Sequence, residues 1–153
     1  MTNFQRNYSI GEVEIKGNTI YHLTEYRQRR NHFSFYHVSE PFESFDTQRD
    51  NFIGMYNDVS DPVGINDGSL SNSVAAGWQI VAATKNDITL APGESKTLIY
   101  TLGYVENETD KFDKDGQVNT KKAEEMIKKI NVGTVYSMFD DLKQHWTDKL
   151  SKY

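Results

Sequence analysis

The chain carries, at residues 11–26, the stretch GEVEIKGNTIYHLTEY. Its first part sets Val13 and Ile15 between charged neighbours, and its second part is rich in β-branched and aromatic residues. Gly17 and Asn18 separate the two parts, and glycine at the first position is typical of a type II′ hairpin turn. Another apolar and aromatic run follows at 33–38. The sequence therefore predicts an antiparallel meander of three strands.

Two further regions complete the first part of the chain. Residues 40–77 are rich in Asp, Asn, Ser and Gly, which predicts long polar loops, and such loops inside a compact domain are usually functional. Beyond them the pattern predicts a second strand pair, formed by residues 78–90 and 98–104. A type II turn at Pro92 and Gly93 is expected to join these two strands.

The pattern changes near Val118, where apolar residues begin to recur at steps of three and four. This period predicts two amphipathic helices in tandem, separated at Gly133. The expected N-caps are Asn119 or Thr120 for the first helix and Thr134 for the second.

Strands followed by helices indicate a mainly β fold, an antiparallel β-sandwich with two C-terminal α-helices. We therefore expect a β-sandwich domain over residues 1–117, which the resemblance described below implies to be partial and sugar-facing, and a helical segment over residues 118–153. The length of 153 residues fits about one domain.

The composition excludes several classes of site. The chain has no cysteine, which rules out disulfides, thiolate nucleophiles and cysteine-bound metals. Its four histidines lack the spacing of metal ligands, so we expect neither a metal nor a cofactor. The net charge of −5 argues against a nucleic-acid partner, because phosphate binding needs a basic field. No apolar run reaches membrane-spanning length and the first residues do not resemble a signal peptide, so we expect a cytoplasmic protein without a membrane partner.

The segment 42–52 combines acidic, basic, amide and aromatic side chains. Sugars bind to such mixed surfaces, because hydroxyls pair with charged groups while a ring face lies on an aromatic side chain. A solvated loop in which Asp and Asn form turns explains the composition equally well. A glycosidase needs one defined pair of carboxyl groups, and too many lie nearby to single out such a pair. These carboxylates are Glu40, Glu43, Asp46, Asp50 and Asp58.

A basic cluster, Arg27, Arg29 and Arg30, lies between two predicted strands. Guanidinium groups could bind phosphate there, as in a small phosphate-binding regulator. A turn held by local ion pairs is the simpler interpretation, because alternating strand faces would scatter the three side chains.

Six blocks of sequence carry a family resemblance. They are NFQRN at 3–7, GEVEI at 11–15, IYHxTEYRxRRNHF at 20–33, FDTxRDxFIG at 45–54, LSNSVxxGW at 70–78 and LAPGE at 90–94. Together and in this order they resemble the inverting disaccharide phosphorylases, the group of cellobiose, cellodextrin and chitobiose phosphorylases. The resemblance covers nearly the whole chain.

The resemblance implies the later part of an N-terminal supersandwich domain of the galactose-mutarotase type, followed by the start of a helical linker. It also implies phosphorolysis, with inversion, of a β-linked disaccharide to an α-sugar 1-phosphate and a free sugar. In that family the catalytic aspartate belongs to a helical barrel, which this chain is too short to contain. The chain is therefore expected to have no catalytic residue and to be inactive alone.

The resemblance further implies a homodimer, in which a sandwich loop helps to hold the acceptor sugar at the partner's active site. Residues 45–54 match that loop best. Arg49 is the expected acceptor contact, with Asp46 and Asp50 orienting its guanidinium and Gln48 as a further substrate-binding residue. Gln48 departs from the family pattern, which has an acid there. A freestanding carbohydrate-binding module is the alternative function.

Overall fold

The computed structural model describes residues 10–24 and 31–152, without the side chains of Ile10, Thr24 and Trp78. The predicted basic cluster at 27–30 lies outside the described residues. Within the described part the chain forms seven strands and four helices. The strands are β1 (Ile10–Lys16), β2 (Thr19–Thr24), β3 (His32–Val38), β4 (Ser44–Gln48), β5 (Ala76–Trp78), β6 (Ile80–Lys85) and β7 (Tyr100–Glu106). The helices are α1 (Arg49–Ile53), α2 (Val63–Asn66), α3 (Lys121–Lys128) and α4 (Val132–Leu150).

A five-stranded antiparallel sheet forms the base of the fold, in the order β5-β1-β2-β3-β7. The predicted meander is confirmed as β1, β2 and β3. The hairpin between β1 and β2 closes where Lys16 lies opposite Thr19. Gly17 has a φ of +57°, the positive value that a type II′ turn requires at its first central residue.

Each face of this sheet packs against a different element, as the alternation of side chains along strands requires. On one face Tyr21, Phe33 and Phe35 form a core with Val118 and Ala123. On the other face, a two-stranded sheet of β4 and β6 supplies the cover. The core on that side consists of Val13, Ile20 and Ala75, with Phe45 and Ile80 packed against them. The molecule is therefore a mainly β sandwich with helices at its C-terminal end, as predicted.

The predicted second strand pair is wrong. The turn itself forms, since the Glu94 N–H donates to the Ala91 carbonyl at 2.9 Å. However, β6 ends at Lys85 and pairs with β4, whereas β7 pairs with β3. The reason is packing across the large sheet, because Val105 of β7 lies opposite Phe33 and enters the same buried cluster.

Of the two helices after residue 118, the first begins at a predicted cap, and the second begins three residues earlier than predicted. Thr120 is the N-cap of α3, within the prediction, whereas α4 begins after Asn131. Asn131 and Thr134 form a capping box, in which each side chain accepts a hydrogen bond from the other residue's backbone N–H. Thr134 is therefore the third residue of the helix, and Gly133 lies inside its first turn.

Two side chains of β1 form hydrogen bonds with the backbone of Val118, which precedes helix α3, and so attach this part of the chain to the large sheet. The Glu14 carboxylate accepts from the Val118 N–H at 3.1 and 3.2 Å, and the Lys16 ammonium donates to the Val118 carbonyl at 3.0 Å. Ala123 of α3 is buried in the sheet core. Helix α4 has no buried residue.

The division of the chain at 117/118 stays a prediction. Among the described helices, none is both long and apolar enough to span a bilayer.

Candidate functional site

The polar segment predicted as a loop contains a short strand and a helical turn. Strand β4 pairs with β6, and the register shifts between Asp46 and Gln48. Such bulges bend a strand and change the direction of its side chains. Gln48 keeps an extended backbone, and α1 begins at Arg49. The segment 45–50 thus passes from the sandwich interior to its surface within a few residues.

Arg49 lies at the edge of a polar cleft, with 40% of its side chain exposed. Its Nη1 lies 3.5 Å from the Gln79 Oε1 and 3.9 Å from the Asp50 Oδ1. Its backbone is held more firmly, because the Arg49 N–H donates to the Gln79 carbonyl at 3.2 Å. The cleft, called here the Arg49 cleft, has a volume of about 230 Å³. It is lined by Gln48, Arg49, Asp50, Ala75, Ala76 and Gln79.

Asp46 is directed away from this cleft into the interior, where it is 1% exposed. Its carboxylate accepts from the hydroxyls of Ser71 at 2.5 Å and Ser73 at 2.6 Å. It also accepts from the backbone N–H groups of the same two serines at 3.0 to 3.2 Å. Burial alone would raise the pKa of Asp46, but these hydrogen bonds outweigh burial and hold the pKa below its ordinary value. The carboxylate is therefore ionised at neutral pH.

Thr47 and Gln48 also join β4 to the segment 71–76, which contains Ser71 and Ser73. The fully buried Thr47 donates from its hydroxyl to the Ser73 carbonyl at 2.8 Å and accepts from the Ala75 N–H at 2.8 Å. The Gln48 side-chain amide donates to the Val74 carbonyl at 3.4 Å. Side-chain hydrogen bonds thus take over much of the role that a backbone ladder has between paired strands.

Two residues between Ser71 and β6 adopt left-handed backbone conformations. They are Asn72, with a φ of 57°, and Gln79, with a φ of 58°. Asparagine tolerates this region better than most residues, and here its side-chain oxygen accepts from the Phe45 N–H, 27 residues away in the sequence, at 3.1 Å. Glutamine adopts it less often. At Gln79 the chain turns from β5 into β6, and its carbonyl and side chain both contact Arg49.

The structure thus brings together three of the four predicted site residues, Gln48, Arg49 and Asp50. The fourth, Asp46, lines a separate cavity of about 290 Å³ together with Asn51, Leu70 and Ser71. The sequence analysis did not identify Gln79 as a site residue, because no local pattern indicated its left-handed conformation. Ser71 and Ser73 did belong to a recognised block, but nothing in the sequence linked them to Asp46.

The site offers hydrogen-bonding groups and no metal ligand set. Arginine supplies only donors, a carboxylate supplies only acceptors, and the two glutamines supply both. In the part of the chain that the structure covers, no three histidine, cysteine, aspartate or glutamate residues are grouped to hold a metal ion. The Arg49 cleft therefore offers both hydrogen-bond donors and hydrogen-bond acceptors.

Large apolar side chains also remain exposed on two elements. On β7, Leu102 is 81% exposed, between Tyr100 and Tyr104 on the same face. Residues of α4 form a second exposed stripe: Met138, Phe139, Leu142, Trp146 and Leu150. Contiguous exposed apolar surface is typical of an interface.

Comparison with known proteins agrees with this architecture. Residues 1–132 match the family model for the supersandwich domain of glycosyl hydrolase 94. The chain is 28% identical to an N,N'-diacetylchitobiose phosphorylase of Vibrio proteolyticus and 29% identical to one of Vibrio furnissii, over 148 residues in each case. These matches cover 95% of this chain but 17% of each relative, so the chain spans about a sixth of their length. With most of its residues matched by the family model, the chain belongs to the glycosyl hydrolase 94 supersandwich family.

Proposed function

We propose that this chain is the noncatalytic sandwich domain of a disaccharide phosphorylase, and that its Arg49 cleft holds part of the acceptor sugar. The whole protein would cleave a β-linked disaccharide with phosphate, with inversion, to an α-sugar 1-phosphate and a free sugar. The relatives are named N,N'-diacetylchitobiose phosphorylases, which makes N-acetylglucosamine the first acceptor to test. The observation that carries the proposal is the exposed guanidinium of Arg49 in a cleft of mixed donors and acceptors.

The chemistry of the cleft fits sugar hydroxyls, which both donate and accept hydrogen bonds. Arg49 can donate to two neighbouring hydroxyl oxygens at once, while Asp50 accepts from a hydroxyl. Gln48 and Gln79 can satisfy either kind of group. Asp46 is not among the residues that line the cleft, and its carboxylate is buried against Ser71 and Ser73.

The size of the cleft supports a shared site. Complete pockets for small molecules usually measure about 300 to 1,000 Å³, and the Arg49 cleft has about 230 Å³. A cleft of this size would supply one side of a sugar site, and another domain would supply the rest. We propose that the other side is the active site of a catalytic helical barrel, in the partner subunit of a homodimer. The exposed apolar residues of β7 and α4 fit contacts with such further parts of the protein.

The proposal is tested in the full-length protein that carries this chain. In the synthetic direction, Arg49→Ala should raise the KM for the acceptor sugar, because it removes charge-assisted hydrogen bonds. Such bonds contribute about 1.5 to 3 kcal/mol each, which corresponds to roughly 10-fold to 150-fold in KM. The KM for the sugar 1-phosphate should not change. Lys96→Ala is the matched control, because Lys96 is also a surface cation but pairs with Glu40 at 2.9 Å on another loop.

An unchanged acceptor KM in the Arg49→Ala protein would reject this assignment. A second measurement separates the proposal from a freestanding carbohydrate-binding module. Titration of the 153-residue chain with N-acetylglucosamine, chitobiose or cellobiose should give dissociation constants in the millimolar range or weaker, because only one side of the site is present. Micromolar binding would favour the module.

A further inference from the structure

Asp46 is a buried charge that the proposed sugar contacts do not use. It lies beneath the segment 71–76 and receives hydrogen bonds from both the backbone and the side chains of Ser71 and Ser73. A buried carboxylate needs such partners to remain charged. Here every partner lies on one segment, so the carboxylate attaches that segment to β4.

The attached segment leads directly to the Arg49 cleft. Two residues after Ser73, the Ala75 N–H bonds to the hydroxyl of Thr47 at 2.8 Å. Ala75 and Ala76 then line the cleft, and Gln79 contacts Arg49 through its carbonyl and its side chain. The position of this wall relative to Arg49 therefore depends on where the segment is fixed to β4.

Unfavourable backbone conformations that need an external restraint occur once within this segment and once after it. Asn72 lies between the two serines with a φ of 57°, and Gln79 follows with a φ of 58°. Residues other than glycine persist in this region only where the surrounding contacts determine their conformation. The contacts of Asp46 with the residues on both sides of Asn72 supply such a restraint.

We infer that Asp46 is a positioning residue, which fixes the wall of the Arg49 cleft formed by residues 75–79 and thereby sets the affinity for the acceptor sugar. The first half of this inference concerns the chain alone. The second half rests on the proposed function. The two halves are tested separately.

The first test uses nuclear magnetic resonance on the 153-residue chain. In Asp46→Asn, we expect shifted amide resonances at Ala76 and Gln79 and amide exchange at Ala75 that is faster by about tenfold or more. Glu14→Gln is the matched control, because Glu14 also holds a backbone N–H with its carboxylate, at Val118 on the opposite face. The control should change Val118 and leave residues 75–79 unchanged.

If Asp46→Asn does not fold, Ser71→Ala and Ser73→Ala test the same attachment more gently, since each removes one hydroxyl that bonds to Asp46. They should shift the same amides by smaller amounts. Unchanged resonances at 75–79 in every folded variant would overturn the inference, because the wall would then be fixed without Asp46.

The second test measures kinetics in the full-length protein. Asp46→Asn should raise the KM for the acceptor by roughly tenfold or more, because small displacements of binding groups have large effects. The KM for the sugar 1-phosphate and the kcat at saturating acceptor should stay unchanged, which general destabilisation would not produce. If Arg49→Ala raises the acceptor KM and Asp46→Asn does not, the positioning role is wrong. If neither does so while the amides still shift, the proposed function fails and the structural half stands.

Discussion

Replacing Thr47 with valine removes one hydroxyl from the attachment of β4 and nearly preserves the shape of the side chain. Thr47 is completely buried, and its hydroxyl donates to the Ser73 carbonyl and accepts from the Ala75 N–H, both at 2.8 Å. The Ser73 carbonyl keeps a second partner, the Thr47 N–H at 3.0 Å. Ala75 is 2% exposed, so its N–H would lose its acceptor in the interior.

The expected loss of stability follows from that one donor. A buried polar group left without a partner costs about 1 to 3 kcal/mol, and we expect about 2 kcal/mol for Thr47→Val, within that range. In a chain of this size, 1 kcal/mol lowers Tm by about 2 to 4 °C, so the variant should melt about 4 to 8 °C lower.

Urea denaturation followed by circular dichroism measures this effect. The midpoint should fall while the slope with urea stays the same, which identifies a change in stability and not in the unfolded state. Thr84→Val is the control with the same chemical change. The Thr84 hydroxyl is only half-buried and lies 3.5 Å from the Tyr36 hydroxyl, so its loss should change stability by less than about 0.5 kcal/mol. Equal effects of the two substitutions would refute the importance of the Thr47 hydroxyl.

Three further perturbations address the fold and its response to acid. Gly103→Ala would place a Cβ 2.2 Å from the Cζ of the buried Phe35, so we expect a loss of about 1 to 3 kcal/mol in thermal melts. Adding Phe35→Leu should recover part of it, and strictly additive losses would contradict the steric cause. Asn131→Ala should cost about 1 kcal/mol of helix stability, seen as faster amide exchange at the start of α4, and unchanged exchange there would count against the capping box. Because the folded pKa of Asp46 is lowered, its contribution to stability is present above its ordinary pKa of about 3.9 and is lost as the pH falls through the lower folded value. Urea midpoints measured from about pH 5 to pH 2 should therefore fall less steeply in Asp46→Asn than in the native chain, and identical slopes would contradict this.

Local patterns predicted the parts of the fold that local contacts determine. The meander follows from alternation and from the positive φ that Gly17 adopts without a steric cost. The recurrence of apolar residues at steps of three and four likewise predicted that α3 is amphipathic, and Ala123 and Ile127 from that pattern pack on the sheet. The partner of each later strand could not be predicted in this way. The turn at 91–94 is real, but the strands nearest to it lie in different sheets, because pairing depends on distant apolar residues such as Phe33.

The different positions of single site residues could not be predicted from local sequence patterns either. In the sequence, Asp46 and Asp50 are two acids four residues apart on either side of Arg49, and both suited the role of orienting it. The bulge between Asp46 and Gln48 separates them. Asp50 lies on the surface beside Arg49, whereas Asp46 turns inward to Ser71 and Ser73. No spacing within the segment indicates that difference, because the serines that decide it lie 25 or more residues away.

The contrast between the backbone and the side chain of Arg49 is the strongest structural argument for a partner that this chain does not supply. Its backbone N–H is fixed by the Gln79 carbonyl, and the neighbouring strand is attached through Asp46 and Thr47. Its guanidinium makes contacts of 3.5 and 3.9 Å among the described residues, at the outer limit for hydrogen bonds and ion pairs. A structural arginine usually has shorter, bidentate contacts. Arg49 thus combines a backbone held by hydrogen bonds with a guanidinium that has only long contacts among the described residues. We expect this arrangement where the close contacts of an arginine are made with a ligand.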